Sequence, residues 1–401
     1  MKVVFVVQRY SLEISGGAEL HCRWVAEHMA KHWEVEVWTT RAFDYITWRN
    51  HYPGGREVIN GVPVRRYPVR RPRDPARFGR LQTRILAGEH KAADELRWLE
   101  EEGPLVPSLI ADLRPNRAAA DYFIFFSYRY YHSYWGVRAV PDKSILVPTA
   151  EHDPIIHLRL FKDLFRRPRA FIYNSVEERD MIQGLSGNRA VPGLVTGVGT
   201  EVLAERSAER FRRAYGLEGD YLIYIGRVDQ NKGCHKMFDY FLRFKQETGS
   251  PVKLVLIGGA VLPIPRHPDI RHLGILPEQD KFDALEGALL LLMPSFYESL
   301  SMVTLEAWAL GKPVLANAHC EVLRGQCRRS RGGLEFRNYA EFREALGLLL
   351  ADDRLGQALG RNGAGYYREN YTWEVIEGKY LAVVNQLQEE NRCRSINSPR
   401  P

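Results

Sequence analysis

Apolar and polar positions along the chain follow two periods that take turns. Residues 2–7 form an unbroken, valine-rich run, the pattern of a strand buried on both faces of a parallel sheet. Residues 20–31 place apolar side chains at helical spacing, and residues 34–39 (Glu-Val-Glu-Val-Trp-Thr) alternate as a half-buried strand does. Strand, helix, strand is the βαβ unit of a parallel sheet. Further strands are predicted at 62–67, 122–126, 144–147 and 171–173, with a charged helix at 88–102. The pattern then restarts. A strand at 221–225 ends on Gly226, a helix follows at 234–247, and a strand at 253–257 ends on Gly258-Gly259. A short strand at 270–273, a helix at 279–288, a strand at 289–293, a helix at 304–310 and a strand at 314–316 complete the series. The restart near residue 220 predicts an α/β protein of two doubly wound parallel-sheet domains. A last long helix is expected at 373–389, and a polar tail at 391–401.

The 401 residues are 45% hydrophobic and 26% charged, an ordinary globular balance for two or three domains. The formal charge of +7 suits phosphate-bearing ligands or an anionic surface. The five cysteines are odd in number and form no Cys-x-x-Cys pair, which argues against a disulfide framework or a zinc site. No apolar run approaches the ~20 residues that span a bilayer, and the opening Met-Lys-Val-Val-Phe-Val-Val lacks the features of a secretory leader. A cytoplasmic protein, with at most peripheral membrane contact, is the expectation.

Four motifs carry chemistry. The strongest is Pro294-Ser295-Phe296-Tyr297-Glu298-Ser299-Leu300-Ser301-Met302-Val303-Thr304-Leu305-Glu306, directly after an apolar strand. Open α/β sheets bind ligands at the carboxyl ends of their strands. The backbone N–H groups of 299–302 are expected to open a helix, whose positive end holds a diphosphate. Glu298 and Glu306 on either side are carboxylates able to accept hydrogen bonds from vicinal hydroxyls, such as those of a sugar and a ribose. A helix-capping Glu298 and a solvated Glu306 are the plain alternative. The second motif is Gly226-Arg227-Val228-Asp229-Gln230-Asn231-Lys232-Gly233. There Arg227 offers a fork and Lys232 a point charge to a diphosphate, or else both fringe a surface loop. The third is Ser15-Gly16-Gly17-Ala18-Glu19, where small residues let a ligand approach the backbone at a helix start. It does not match the Gly-x-Gly-x-x-Gly fingerprint of dinucleotide binding. The fourth is Thr149-Ala150-Glu151-His152-Asp153-Pro154, where His152 is either a contact to a sugar or acceptor hydroxyl or a structural histidine. Glu151 and Asp153 are the carboxylates beside it that can serve as a base.

These motifs resemble glycosyltransferase family 4, a retaining family with the GT-B fold, above all in the succession Gly226-Arg227 to Lys232-Gly233, Pro294-Ser295, Glu298 to Glu306 and Gly311-Lys312-Pro313-Val314. Ile59-Asn60-Gly61-Val62-Pro63-Val64 and Tyr371-Thr372-Trp373-Glu374 fit the same pattern. The resemblance implies two Rossmann-like domains facing each other across a cleft. Residues 1–200 would bind the acceptor and 201–372 a nucleotide-sugar donor, with the helix at 373–389 crossing back onto the first domain. It implies that Arg227 and Lys232 bind the donor diphosphate, Glu298 the donor sugar's hydroxyls and Glu306 the ribose. Gly17 would approach the distal phosphate, and His152 would lie near the sugar C6 hydroxyl. Gly16, Gly226, Ser299, Leu300 and Ser301 would line the donor site, and the backbone near Ile275 would meet the base. No metal and no cofactor beyond the nucleotide-sugar co-substrate is expected. The expected activity is hexosyl transfer from a UDP- or GDP-linked sugar to a glycan, a lipid-linked glycan or a small-molecule hydroxyl. The chain departs from the family at Ser301, where many members carry glycine, and at 318–331, which replaces a glycine-rich segment.

Two basic stretches remain. Residues 65–80 hold Arg65, Arg66, Arg70, Arg71, Arg73, Arg77 and Arg80, and residues 158–171 interleave Arg159, Lys162, Arg166, Arg167 and Arg169 with apolar side chains. They read as a solvated, salt-bridged face or as a seat on an anionic membrane. No recognition motif accompanies them, so nucleic acid is not an expected partner. A nucleotide-sugar epimerase on the same fold and a non-catalytic nucleotide-sugar or glycan-binding protein are the rival functions.

Overall fold

The computed structural model describes residues 1–14 and 16–397. The chain divides into two units, residues 1–199 with 376–401 and residues 200–375.

The first unit is built on an eight-stranded sheet. Its strands are β1 (Lys2–Val6), β2 (Glu34–Thr40), β3 (Gly55–Ile59), β4 (Val62–Tyr67), β5 (Tyr122–Phe126), β6 (Ser144–Val147), β7 (Ala170–Tyr173) and β8 (Gly193–Val195). They lie in the order β3-β4-β2-β1-β5-β6-β7-β8. All pairs are parallel except β3 with β4. That hairpin turns on Asn60 and Gly61, both at positive φ (47° and 81°), the conformation that Asn-Gly adopts readily in a two-residue turn. The continuous apolar runs of β1 and β5 are buried along nearly their whole length, as a sheet covered on both faces requires. One core face joins Val4, Val6, Phe123, Phe125 and Leu146 to Trp98, Leu109 and Phe161 of the covering helices.

The second unit has six parallel strands: β9 (Tyr221–Ile225), β10 (Lys253–Ile257), β11 (Ile270–His272), β12 (Leu290–Met293), β13 (Val314–Asn317) and β14 (Gly333–Phe336). Their order is β11-β10-β9-β12-β13-β14. The chain winds outward from β9 to β11, returns, and winds the other way from β12. The winding therefore reverses between β9 and β12, and in the first unit between β1 and β5. Such reversals open a crevice at the carboxyl ends of the strands.

Three segments differ from their sequence reading. The Arg/Pro-rich stretch contains a helix, Pro75–Leu86, started by Pro75 and capped by Asp74, whose carboxylate accepts from the N–H groups of Ala76 and Arg77. Residues 318–331, read only as a substituted loop, hold the helix Glu321–Ser330. The final helix, Trp373–Asn397, runs through the first residues of the expected polar tail, because 391–397 contain no helix breaker; residues 398–401 lie outside the described residues. Among the described residues no helix is long and apolar enough to cross a membrane.

The final helix is tied to the first unit by Glu377. Its carboxylate lies 2.7 Å from His28 Nδ1, 2.7 Å from His32 Nε2 and 3.3 Å from Lys31 Nζ. Burial works against its charge, but the bonds from His32, His28 and Lys31 outweigh it and hold the carboxyl at about 2, below the ordinary 4.5. A carboxyl depressed in this way contributes stability that is complete above pH 4.5 and is lost as the pH falls toward 2. Glu377→Gln is therefore expected to cost roughly 1–2 kcal/mol near neutral pH in urea unfolding, with the penalty shrinking steadily under acid conditions. A penalty that does not vary with pH would show that the ionised carboxylate is not what holds the helix.

Candidate functional site

The loops that follow β9 and β12 flank the reversal in the second sheet, and they hold two of the four motifs. Gly226 leaves β9 at φ 151°, and Gly258 leaves β10 at φ 133° with its Cα side against the Gly226 carbonyl; a Cβ on Gly258 would lie 2.1 Å from that oxygen. Asp229, only 6% exposed, organises the loop. One carboxylate oxygen accepts from Arg227 Nε and the other from the Lys232 backbone N–H at 2.8 Å. Gly233 then turns the chain into the helix Cys234–Thr248 at φ 70°. The Lys232 side chain reaches across to the β12 loop, where Nζ donates to Glu298 Oε1 at 2.7 Å and to the Tyr297 carbonyl at 3.4 Å. Lys232 and Glu298, singled out separately in the sequence, thus form one ion pair, and Arg227 pairs with Asp229.

The two glutamates differ in environment. Glu298 keeps a partly open edge, with 12% of its side chain exposed. Glu306 is buried on the helix Met302–Ala309. Its Oε1 accepts from Lys281 Nζ at 3.0 Å, and its Oε2 is buried with no partner among the described residues. Burial raises the Glu306 carboxyl above its ordinary range, and the Lys281 charge opposes that rise. Lys281 comes from the helix Glu278–Gly287 and was not identified from sequence. Its role follows from a contact across 25 residues, and local patterns carry no signal of it.

The helix that was expected to open over 299–302 begins at Met302. Ser301 precedes it at φ 70°, ψ 85°, a left-handed conformation that breaks the helical path, so Ser299 and Leu300 lie in the approach loop and the Leu300 side chain is buried. Ser301 Oγ lies 2.9 Å from Thr304 Oγ1. The Ser301 side chain makes no capping bond, and the Thr304 N–H donates to the Ser301 carbonyl at 3.2 Å. Ile275 is 82% exposed in the loop after β11, with its Cδ1 close to where a Cβ on Gly259 would stand (3.9 Å).

In the first unit the loop after β1 leads to the helix Gly17–Met29, with Gly16 as its N-cap and Ser15 outside the described residues. A Cβ on Gly16 would meet Glu19 Oε2 at 2.4 Å. The room left by Gly16 is taken by a buried ion pair, Arg9 Nε to Glu19 Oε1 at 2.7 Å. The residues after β5 and β6 line a cavity of about 170 Å³ that includes Ser127, Arg129, Thr149, Glu151 and Asp153. Ser127 and Thr149 both sit at positive φ (67° and 47°) and share a 3.0 Å hydroxyl contact. His152 is exposed, with its ring 5.7 Å from that of His157, and it does not line this cavity. Glu178 anchors the β6 loop from below. Its carboxylate accepts from the N–H groups of Ala150 and Asn174, and burial pushes the carboxyl up to about 8 against those two bonds. Ser175-Val176-Glu177-Glu178 has the spacing of a capping box, the one local signal that could have drawn attention to Glu178.

Residues 219–352 match the family described as Glycosyl transferases group 1. The D-inositol 3-phosphate glycosyltransferase of Corynebacterium urealyticum is 26% identical over 239 residues, covering 54% of this chain and 56% of that protein. The chain spans about half the length of the curated relatives it matches. Among solved structures, sucrose-phosphate synthase from Thermosynechococcus elongatus superposes with a TM-score of 0.73 at 16% identity, over 97% of this chain and 99% of that one. The Anabaena protein HepE, solved in complex with UDP and glucose, superposes with a TM-score of 0.70 at 15% identity, over 96% and 99%. The two parallel-sheet α/β units are the GT-B fold of these structures. On this fold, residues 219–352 are similar to the group 1 glycosyltransferases.

Proposed function

We propose that the protein is a retaining glycosyltransferase that moves a hexose from a nucleoside diphosphate sugar to a hydroxyl acceptor. The observation that carries this reading is the state of the two glutamates. Glu298 is paired with Lys232 at a partly open edge, whereas Glu306 is buried with one oxygen unpartnered among the described residues. A buried carboxylate oxygen without a donor costs free energy until a hydroxyl reaches it. A ribose diol supplies such donors, and Glu298 is left to take the hydroxyls of the sugar. The Lys232 ammonium and the Arg227 guanidinium, set by Asp229, would hold the diphosphate between them. HepE, whose structure contains UDP, offers a precedent on the same fold.

The chemical role of these groups is electrostatic. The glycosidic C–O bond to the diphosphate breaks, and negative charge grows on the departing oxygen. Lys232, Arg227 and the N–H groups at the start of the helix Met302–Ala309 stabilise it. The acceptor hydroxyl, assigned to the first unit, attacks the oxocarbenium-like carbon from the face the diphosphate leaves. A phosphate oxygen takes the acceptor's proton. A double displacement through Glu298 would instead require that carboxylate to leave Lys232 and reach the anomeric carbon. Metal independence, and a location on the cytoplasmic side with or without peripheral membrane contact, belong to the same reading.

Thermal-shift titration with UDP, GDP, ADP, dTDP and their sugars, with and without EDTA, tests the donor site. Stabilisation by one nucleotide family, equal in EDTA, is expected; no stabilisation by any of them would remove the reading. Lys232→Ala is expected to lower kcat by about 10²-fold or more, because it removes charge stabilisation and leaves Glu298 unpaired. Turnover close to that of the unmodified protein would reject Lys232 as the diphosphate partner.

A further inference from the structure

The cations of the first unit are mostly neutralised within it. In the Arg/Pro stretch Arg65 pairs with Asp112, Arg66 with Glu57, Arg71 and Arg77 with Glu101, and Arg73 with Glu102. In the second basic stretch Arg167 pairs with Asp163 and Arg169 with Glu390, while Arg166 donates to the Ser186 carbonyl. Arg70 and Arg80 have no ion pair among the described residues, and three further cations depart from the rule: Arg159, Lys162 and Lys91, the last at the start of the helix Ala92–Glu102. None of the three has an ion pair among the described residues, and all three line the same cavity.

That cavity has a volume of about 690 Å³, within the ~300–1,000 Å³ usual for small-molecule sites. Ile85 and Leu86, from the end of the helix Pro75–Leu86, give it an apolar wall, and Ile155 and Leu158 add to it. His90 and His157 stand among the cations, and His90 Nδ1 is buried without a partner among the described residues. One carboxylate is present, that of Glu95, and it is already engaged: it accepts from the Leu160 N–H at 3.0 Å and faces His90 Nε2 at 3.4 Å. Three like charges around one concave surface repel each other unless an anion lies between them. A phosphate monoester carries about −1.5 to −2 at neutral pH and offers three strong acceptor oxygens, which suits two or three cations beside one spent carboxylate.

We propose that this cavity is a second anion site, separate from the donor site, that takes the phosphate monoester of a ligand whose body rests on the Ile85–Leu86 wall. The site does not depend on the nucleotide-sugar reading, because nucleotide binding and phosphate-ester binding are scored on different residues. The probes are inorganic phosphate and glycerol 1-phosphate by calorimetry at low ionic strength, and phosphatidic acid in phosphatidylcholine vesicles against phosphatidylcholine alone by co-sedimentation. The full chain is compared with the double variant Arg159→Gln, Lys162→Gln and with Lys91→Gln, each checked for fold by circular dichroism. Any phosphate bound by Arg227 and Lys232 is common to all three proteins. Affinity for glycerol 1-phosphate at one site is expected to fall at least tenfold in the double variant and severalfold in Lys91→Gln, with nucleotide stabilisation unchanged. Binding of phosphatidic acid vesicles that is lost in the double variant would assign the phosphate to a lipid; binding of the soluble ester alone would assign it to a soluble ligand. Phosphate-ester binding that is absent from the unmodified protein, or equal in all three proteins, would overturn the proposal.

Discussion

The candidate site of the second unit depends on how closely two backbones approach. Gly233 sits at φ 70°, and a Cβ there would stand 2.1 Å from the Pro294 carbonyl oxygen. Only glycine fits, so the loop after β9 lies directly against the loop after β12. The contact is fixed from both sides: Phe296 N–H donates to the Asn231 carbonyl at 3.4 Å, and Asn317 Nδ2 donates to the Pro294 carbonyl at 3.0 Å. Because the backbones touch, a lysine and a glutamate 66 residues apart in sequence meet at 2.7 Å. A bulkier residue at 233 would part the loops, and both the cation and the carboxylate would lose their positions together.

Charge in this unit is held in pairs whose exposure differs. The Lys232–Glu298 pair is 28% and 12% exposed at its two side chains, so water and a ligand can compete for it. The Lys281–Glu306 pair is 12% and 3% exposed and lies deeper. Removing one member of a buried pair leaves a charge that costs about 3–5 kcal/mol, whereas a pair at the edge can exchange partners at smaller cost. The arrangement differs accordingly: Lys281 holds Glu306 in a deep pair, and Lys232 holds Glu298 in a pair nearer solvent.

The sequence announced elements whose burial pattern is one-sided or complete. Residues 2–7, 122–126, 221–225 and 253–257 are apolar along their length, and β1, β5, β9 and β10 lie there. Strand β3 escaped notice because it is an edge strand whose side chains are largely exposed, leaving no alternation to read. The helix Pro75–Leu86 was hidden by its arginines, which cover a narrow apolar stripe of Leu81 and Ile85. The motif residues were legible because the loops after β9 and β12 concentrate charge and glycine at strand ends. Their supports were not. Asp229 belongs to a quoted motif, yet its task of holding Arg227 and the Lys232 backbone is a matter of geometry. Lys281 and Glu178 act through contacts distant in sequence, which no local period encodes.

Ser301 shows how a departure from a family pattern acquires a physical meaning. A side chain at φ 70° costs about 1–2 kcal/mol relative to glycine. The serine hydroxyl offsets part of this through its 2.9 Å contact with Thr304 Oγ1. That contact also turns the hydroxyl away from its usual use at such a position, which is to cap the helix. The Ser301 side chain therefore caps none of the first-turn N–H groups of Met302–Ala309, while the Ser301 carbonyl accepts from that of Thr304 at 3.2 Å. Glycine at this point would leave the same donors open without strain, so the serine does not add a capping group; it adds bulk and a fixed hydroxyl beside the helix start. Its effect falls on the shape of the space beside the helix start.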